Sequence, residues 1–282
     1  MEPKKVYSKS YFKINKKQIK NISDKIKPIS YSKKGYTGKG VKIAVIDSGC
    51  PQHSDIKICG EQISFCDDNA NVADNYGHST MVSGIISANN DKSIIGIAPD
   101  AELLFAKVAN DAGECSFNSI VAGVLWSIVK QVDIMVVALG TQYDYSVMHD
   151  AVKKARDNNI CIFAAAGSDI GEEDLNFPAR YSEAFSASVL TKGEKKNKKI
   201  MEKSDLYTSN KGMYTTYTNN KYVRAYGSSI STAYFAGHAA LLIEQYRKTI
   251  PRNEMPALIY SKLIRELNGK KEKNKKSGKN KI

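Results

Sequence analysis

The sequence predicts an α/β protein of three layers, in which a doubly wound, mostly parallel sheet carries helices on both faces. Short runs rich in Val and Ile, such as residues 41–46, suit strands that are buried on both faces of a parallel sheet. Between these runs, apolar residues recur three and four positions apart, which predicts amphipathic helices. Strands and helices that alternate in this way are typical of a parallel sheet with crossover helices.

The individual elements follow from the same two patterns. Strands are expected at residues 41–46, 101–108, 134–139, 160–166 and 184–190. Helices are expected from His78, at 117–130 and 146–157, from Ser228 or Ser229, and at 237–248 and 254–267. A short amphipathic helix is predicted by the spacing of Ile19, Ile22, Ile26 and Ile29. Residues 192–203 are interpreted as a charged surface excursion, and residues 205–226, rich in Tyr and Thr, as edge strands and turns.

Length and composition indicate one domain. A chain of 282 residues with 42% apolar content can bury one large core. No apolar run is long enough to span a bilayer, and residues 1–7 lack the apolar core of a signal peptide, so we expect a cytoplasmic protein. The five cysteines are odd in number and irregularly spaced, which favours reduced thiols over a zinc site or a disulfide framework.

The net charge of +13 is concentrated at the two ends of the chain. Residues 1–39 carry a net charge of +10, and residues 269–282 carry a net charge of +6. Because these two charges together exceed the total by three, residues 40–268 have a net charge of −3. A protein that grips phosphates needs a basic body, so nucleic acid is an unlikely partner. The basic termini are expected to be solvated or disordered.

Three residues are candidates for chemistry. Asp47 follows the first strand, where open α/β sheets place their ligands, although receiver domains and nucleotide-binding folds also carry an acidic residue there. His78 lies in the first turn of a packed helix, a position that surface histidines also occupy. Ser228 and Ser229 begin a helix, where a serine can cap backbone N–H groups or can act as a nucleophile beside an oxyanion that those groups stabilise.

The order Asp47, His78, Ser229 distinguishes the subtilisin-type triad from the chymotrypsin and α/β-hydrolase orders. The surrounding residues resemble the motifs of the subtilisin-like serine peptidases, or subtilases: Val45 to Gly49 with His53 and Asp55, Gly77 to Thr80, and Gly227 to Ala233. Residues 96–99, 138–140 and 177–179 resemble further landmarks of that family. The resemblance covers roughly residues 30–250 and implies the subtilisin-like fold.

The resemblance also implies roles for individual residues. Ser229 would attack the scissile carbonyl, His78 would take and return its proton, and Asp47 would orient the imidazole. The backbone N–H of Ser229 would be one donor of the oxyanion hole. The substrate would lie extended beside Gly113, Ala138, Leu139 and Gly140.

The chain departs from the family pattern at Ser168, where an asparagine normally supplies the second oxyanion donor. In subtilisin the loss of that donor slows the reaction by about 10²–10³-fold, so a slow peptidase is expected. The Ser168 hydroxyl or the side chain of Asn176 could replace the asparagine. An alternative interpretation takes Ser168, with Ser79, Met81 and Ala233 at other family positions, as the mark of a decayed pseudo-peptidase.

Asp169 begins an acidic segment that also contains Glu172, Glu173 and Asp174, and in relatives this segment borders the primary specificity pocket. It favours a basic or polar residue before the cleaved bond, or else it is a solvated loop. No cofactor is expected; calcium sites are frequent in the family, but only residues 67–69 offer a short Asp/Asn run. His149, His238 and Cys50 are assigned to packing or to the surface.

Only 46 residues precede Asp47, so no room is expected for a folding prodomain. We divide the chain into a basic N-terminal extension at 1–29, a catalytic domain at 30–268 and a lysine-rich, disordered tail at 269–282. The layout resembles that of small intracellular subtilases of Gram-positive bacteria, especially the lantibiotic leader peptidases. A broad degradative intracellular subtilisin is the competing interpretation. In either case we expect a monomer that acts on a peptide.

Overall fold

The structure is a computed structural model of the 282-residue chain. It describes residues 4–5, 11–13, 35–57, 60–66, 71–89, 94–167, 174–190, 195–209 and 212–265. The predicted helix at Ile19 to Ile29 and the predicted tail at 269–282 lie outside these residues.

The described residues form strands and helices that alternate along the chain. The strands are β1 (Lys4–Lys5), β2 (Tyr11–Lys13), β3 (Lys42–Asp47), β4 (Gln62–Ser64), β5 (Glu102–Lys107), β6 (Glu114–Cys115), β7 (Ile134–Val137), β8 (Cys161–Ala165), β9 (Phe185–Leu190), β10 (Leu206–Ser209), β11 (Met213–Tyr217) and β12 (Lys221–Ala225). The helices are α1 (His78–Ser87), α2 (Phe117–Val129), α3 (Ser146–Asp157), α4 (Lys195–Lys203), α5 (Ser228–Tyr246) and α6 (255–265), with a 3-10 turn at Arg252–Glu254.

Seven strands form the main sheet in the order β10-β9-β8-β7-β3-β5-β4. Each of its strand pairs is parallel. The strand order reverses at β3, which lies between β7 and β5 near the middle of the sheet. The carboxyl ends of strands beside such a reversal are where open α/β sheets bind their ligands.

Helices cover both faces of the sheet, which confirms the predicted three-layer α/β fold. Alternate residues of β3 point to opposite faces, with Ile43 and Val45 in one core and Ala44 and Ile46 in the other. The first core also receives α1, α5 and α6, and the second receives α2 and α3. Both faces of the strand are buried from Ile43 onward, as its nearly all-apolar sequence predicts.

Two predicted elements differ from the structure. The stretch 237–248 is not a separate helix, because α5 runs without a break from Ser228 to Tyr246. Gly237 lies inside α5, where an added Cβ would come within 2.9 Å of the Ile97 Cβ, so this glycine permits close packing and does not end the helix. Within 192–203, predicted as a charged surface excursion, Lys195–Lys203 form α4, whose Ile200 side chain is buried.

The N-terminal segment contributes two short strands. β1 pairs antiparallel with β6, and β2 pairs antiparallel with β12 in a small sheet of order β11-β12-β2. These two strands therefore pair with the rest of the chain, whereas the basic termini were expected to be solvated or disordered. The region 205–226 forms β10, β11 and β12, in line with the strands and turns predicted there.

Candidate active site

Asp47 is the last residue of β3 and is fully buried. Its backbone carbonyl accepts hydrogen bonds from the N–H groups of Val108 and Ala109, which follow the neighbouring strand β5. One carboxylate oxygen accepts a bond of 2.7 Å from the N–H of Ser48. The carboxylate is thus held at the carboxyl edge of the sheet, close to its middle.

His78 is the first residue of α1, and only 7% of it is exposed. Its Nδ1 atom lies 2.9 Å from both carboxylate oxygens of Asp47. A carboxylate only accepts hydrogen bonds, so Nδ1 carries the proton in this pair. The Nε2 atom of the neutral ring then keeps its lone pair and can act as a base.

Ser229 lies in the first turn of α5, as predicted, and its hydroxyl has a backbone partner. It donates to the backbone carbonyl of Ala138, 2.8 Å away. The residue that caps α5 is Gly227, with φ of 117° and no side-chain bond to the helix, so the capping role considered for Ser228 and Ser229 does not apply. The backbone N–H of Ser229 belongs to the first turn, where N–H groups lack partners within the helix and can bind an anion.

A second buried carboxylate, that of Asp74, stands behind the His78–Asp47 pair. It accepts bonds from Ser48 Oγ, from the N–H groups of Gly77 and Thr80 and from Thr80 Oγ1, at 2.6–2.8 Å. Burial raises the pKa of Asp74, while the bonds from Thr80, Gly77 and Ser48 act to lower it.

A buried ammonium group lies at the same edge of the sheet. Lys107, the residue of β5 that pairs with Asp47, is only 1% exposed. Its Nζ donates to the carbonyls of Ser48 and Ala73 at 2.9 and 3.0 Å and to Asp111 Oδ1 at 2.8 Å. The bond from Lys107 lowers the pKa of Asp111. Lys107 therefore ties together three loops that surround Asp47.

The predicted oxyanion donors are described only in part. Ser168 and Asp169 lie outside the described residues, which stop at Gly167 before that segment. Asn176 is described; its N–H donates to the carbonyl of Ala166 at 3.1 Å, and its side-chain oxygen is buried. An added Cβ on Gly140 would come within 3.0 Å of the Asn176 Cβ, so Asn176 lies beside the 138–140 segment.

The predicted substrate-binding residues lie on two segments. Ala138, Leu139 and Gly140 directly follow β7, whose neighbour β3 carries Asp47. Gly113, with φ of 79°, precedes β6, and the ring of Tyr76 lies within 2.6 Å of where its Cβ would be. Tyr76 is two residues before His78, so its ring places Gly113 beside the start of α1.

The remaining titratable candidates have structural partners. His149 stacks on Tyr181 with ring centres 4.1 Å apart, and buried His238 packs edge-on against Tyr234. Burial raises the pKa of Cys50 and of Cys161 to about 12. Among the described residues no three His, Cys, Asp or Glu side chains form a group that could hold a metal ion, and the 67–69 run lies outside them.

Sequence reasoning missed the roles of Asp74 and Lys107. An Asp shortly before a helix is a recognised capping signal, so the spacing between Asp74 and His78 could have indicated the first role. A lysine inside an otherwise apolar strand could have indicated the second. Neither signal reveals which loops the two side chains join, because Ser48, a partner of both, is 26 residues from Asp74 and 59 residues from Lys107.

A parallel α/β sheet with a buried His–Asp pair at its carboxyl edge, together with a serine at a helix N-terminus, is typical of the class of subtilisin-like serine endopeptidases. The sequence profile of the Subtilase family matches residues 38–280, and the chain belongs to that family.

Individual relatives agree with this family. The chain is 36% identical over 215 residues to the Minor extracellular protease Epr of Bacillus subtilis. The aligned region covers 74% of this chain but only 33% of Epr. It is 32% identical over 242 residues to the Intracellular serine protease of Paenibacillus polymyxa, covering 81% of this chain and 74% of that protein. It is also 32% identical over 251 residues to the Major intracellular serine protease of Bacillus subtilis, and the aligned region covers 82% of this chain and 77% of that protein. Within the described part of the chain, no helix combines the length and apolar character needed to cross a membrane.

Proposed function

We propose that the protein is a serine endopeptidase in which Ser229 is the nucleophile, His78 the general base and acid, and Asp47 the group that orients the imidazole. The observation that carries this proposal is the buried His78–Asp47 pair, with its 2.9 Å contacts to Nδ1. This pair leaves Nε2 as the base, at the sheet edge where the serine helix begins.

The chemistry follows in two balanced steps. Ser229 Oγ bonds to the scissile carbonyl carbon while its proton passes to His78 Nε2, and the protonated imidazole then gives that proton to the leaving amine as the scissile C–N bond breaks. Water attacks the acyl-enzyme in the same way and releases the acid. The N–H of Ser229 stabilises the oxyanion, with a second donor from Ser168 or Asn176. An extended substrate pairs with Gly113 and with 138–140.

For the substrate, we propose a precursor peptide from which the protein removes a leader at one site, as in lantibiotic maturation. A weakened oxyanion hole at Ser168 suits a task that needs selectivity and few turnovers. The acidic segment from Asp169 is proposed to favour a basic residue before the cleaved bond. We place this reaction in the cytoplasm with a monomeric enzyme that needs no cofactor, and the intracellular relatives support that location.

A broad degradative role is the second candidate, and the similarity to two proteins named intracellular serine proteases favours it equally. The test is to incubate the protein with casein and with a precursor peptide encoded beside its gene, using Ser229→Ala as the control. Cleavage of the precursor at one site with casein left largely intact supports leader removal. Rapid digestion of casein at many sites refutes leader removal and supports the degradative role.

A further inference from the structure

The carboxylate of Asp74 is a buried group that is not a member of the proposed triad. Asp74 is 3% exposed, and its two oxygens accept four hydrogen bonds. A fully satisfied buried carboxylate of this kind is rigid, because every displacement breaks a short, charge-assisted bond.

The donors to Asp74 belong to the two segments that carry the His78–Asp47 pair. Gly77 and Thr80 flank His78 at the start of α1, and Ser48 directly follows Asp47. Ser48 Oγ in turn accepts a bond of 3.0 Å from the N–H of Ser79. One carboxylate therefore joins the end of β3 to the first turn of α1.

The local sequence explains why α1 needs this partner. Its N-cap is Gly77, which has no side chain to accept from the first-turn N–H groups. Asp74 and Ser48 take over that function for Thr80 and Ser79. The bonds that begin the helix are thus the same bonds that hold it against Asp47.

We propose that Asp74 is a positioning residue that sets the contact between His78 Nδ1 and Asp47. This inference rests on the proposed triad. The substitution Asp74→Asn keeps the shape of the side chain, but an amide has one acceptor oxygen where a carboxylate has two. Its NH₂ group would therefore face some of the N–H and O–H donors that now bind the carboxylate. Unpaired buried donors force the end of β3 and the start of α1 apart.

The test compares wild type with Asp74→Asn by the rate at which a fluorophosphonate probe labels Ser229. A displacement of about 1 Å at a catalytic group costs on the order of 10²-fold in rate, which is the slowing expected for D74N. The second readout is the far-downfield proton NMR resonance of the Nδ1–H that His78 shares with Asp47. We expect this resonance to weaken or move upfield in D74N.

Asp205→Asn is the matched control. Asp205 also accepts from a backbone N–H and two hydroxyls, those of Ser186 and Tyr260, but it lies at the β9 and β10 edge of the sheet. We expect D205N to keep both the labelling rate and the resonance. If D74N matches D205N in both readouts, Asp74 is merely structural and the proposal is overturned.

A milder pair of variants carries the same test if D74N does not fold. Thr80→Val removes one donor to Asp74. Its control is Thr216→Val, which removes a buried hydroxyl of β11 that donates to the backbone carbonyl of Thr80 and not to Asp74. The proposal expects slower labelling for T80V than for T216V, and equal rates contradict it. A wild type that is not labelled at all counts against the nucleophile Ser229, whereas the His78 resonance still decides the role of Asp74.

Discussion

The Ser229 hydroxyl donates to the carbonyl of Ala138 at 2.8 Å, so the proposed nucleophile is bonded to the backbone of the segment that follows β7. Ala138 begins the segment that we expect to pair with substrate. Substrate pairing and the resting position of Ser229 thus compete for one carbonyl oxygen. Rotation about a single side-chain bond frees the hydroxyl, and such rotations are fast.

This competition predicts a change of rotamer on binding. In a crystal structure with a peptide aldehyde or a non-cleavable peptide, the Ala138 carbonyl should accept from the ligand backbone, and Ser229 should face His78. A complex in which the peptide is bound and Ser229 still donates to Ala138 would contradict this account of the resting state.

The oxyanion hole gives a prediction that separates its two candidate donors. If Ser168 occupies the donor position, Ser168→Asn restores the longer amide and raises kcat/KM, by up to about 10²-fold. If Asn176 is the donor, Asn176→Ala lowers kcat/KM and Ser168→Asn has little effect. Steady-state kinetics on one peptide substrate decides between them, and no change in either variant would show that neither side chain is the donor.

The buried lysine predicts a large loss of stability. Lys107→Met leaves the carbonyls of Ser48 and Ala73 without their donor, which costs about 2–3 kcal/mol in the free energy of unfolding. Lys130→Met is the control, because Lys130 pairs with the exposed Glu61, and such a pair contributes below about 1 kcal/mol. Urea unfolding measures both, and equal losses would refute the role given to Lys107.

Gly49 predicts a steric effect next to Asp47. Its φ is 134°, and an added Cβ would lie 2.6 Å from the Val72 carbonyl and 2.7 Å from that of Ala73. Gly35 has a φ of 79° but nothing within 4 Å, so Gly35→Ala reports backbone strain alone, about 1–2 kcal/mol. Thermal unfolding should show a clearly larger loss for Gly49→Ala. Equal losses would mean that the 72–73 loop moves away at no cost.

The thiol pKa values predict resistance to alkylation. With the pKa of Cys50 and Cys161 raised to about 12, only about 10⁻⁴ of each thiol is ionised at pH 8, and the thiolate is the reactive form. Reactivity should increase only as the pH rises toward 12 or as the protein unfolds. Mass spectrometry after iodoacetamide treatment at pH 8 should find both residues unmodified in native protein and modified in urea. Modification of Cys50 in the native state would contradict its burial.

Five strands of the main sheet were predictable because each is a run of mostly apolar residues. β3, β5, β7, β8 and β9 were all expected, since strands buried on both faces need continuous apolar runs. β4 and β6, of three and two residues, have no such signal. The break predicted near Gly237 was wrong because a glycine that admits Ile97 looks, in sequence, like one that ends a helix.

The site was predictable only where the sequence pattern carries the chemistry. Asp47, His78 and Ser229 were predicted from their order and flanking residues, and the structure places the first two in contact. The Ser229–Ala138 bond, the four donors of Asp74 and the three acceptors of Lys107 were not, because each joins residues that are far apart in sequence or that have no distinctive pattern.

The central claim is that Ser229 is a nucleophile activated by His78. Its most direct test is to incubate the full-length protein with a fluorophosphonate and to locate the modified residue by mass spectrometry. We predict one modification per chain, on Ser229, which disappears in Ser229→Ala and is strongly slowed in His78→Ala. An unlabelled wild type, or labelling that persists unchanged in Ser229→Ala, would contradict the claim and leave a peptide-binding pseudo-peptidase as the better account.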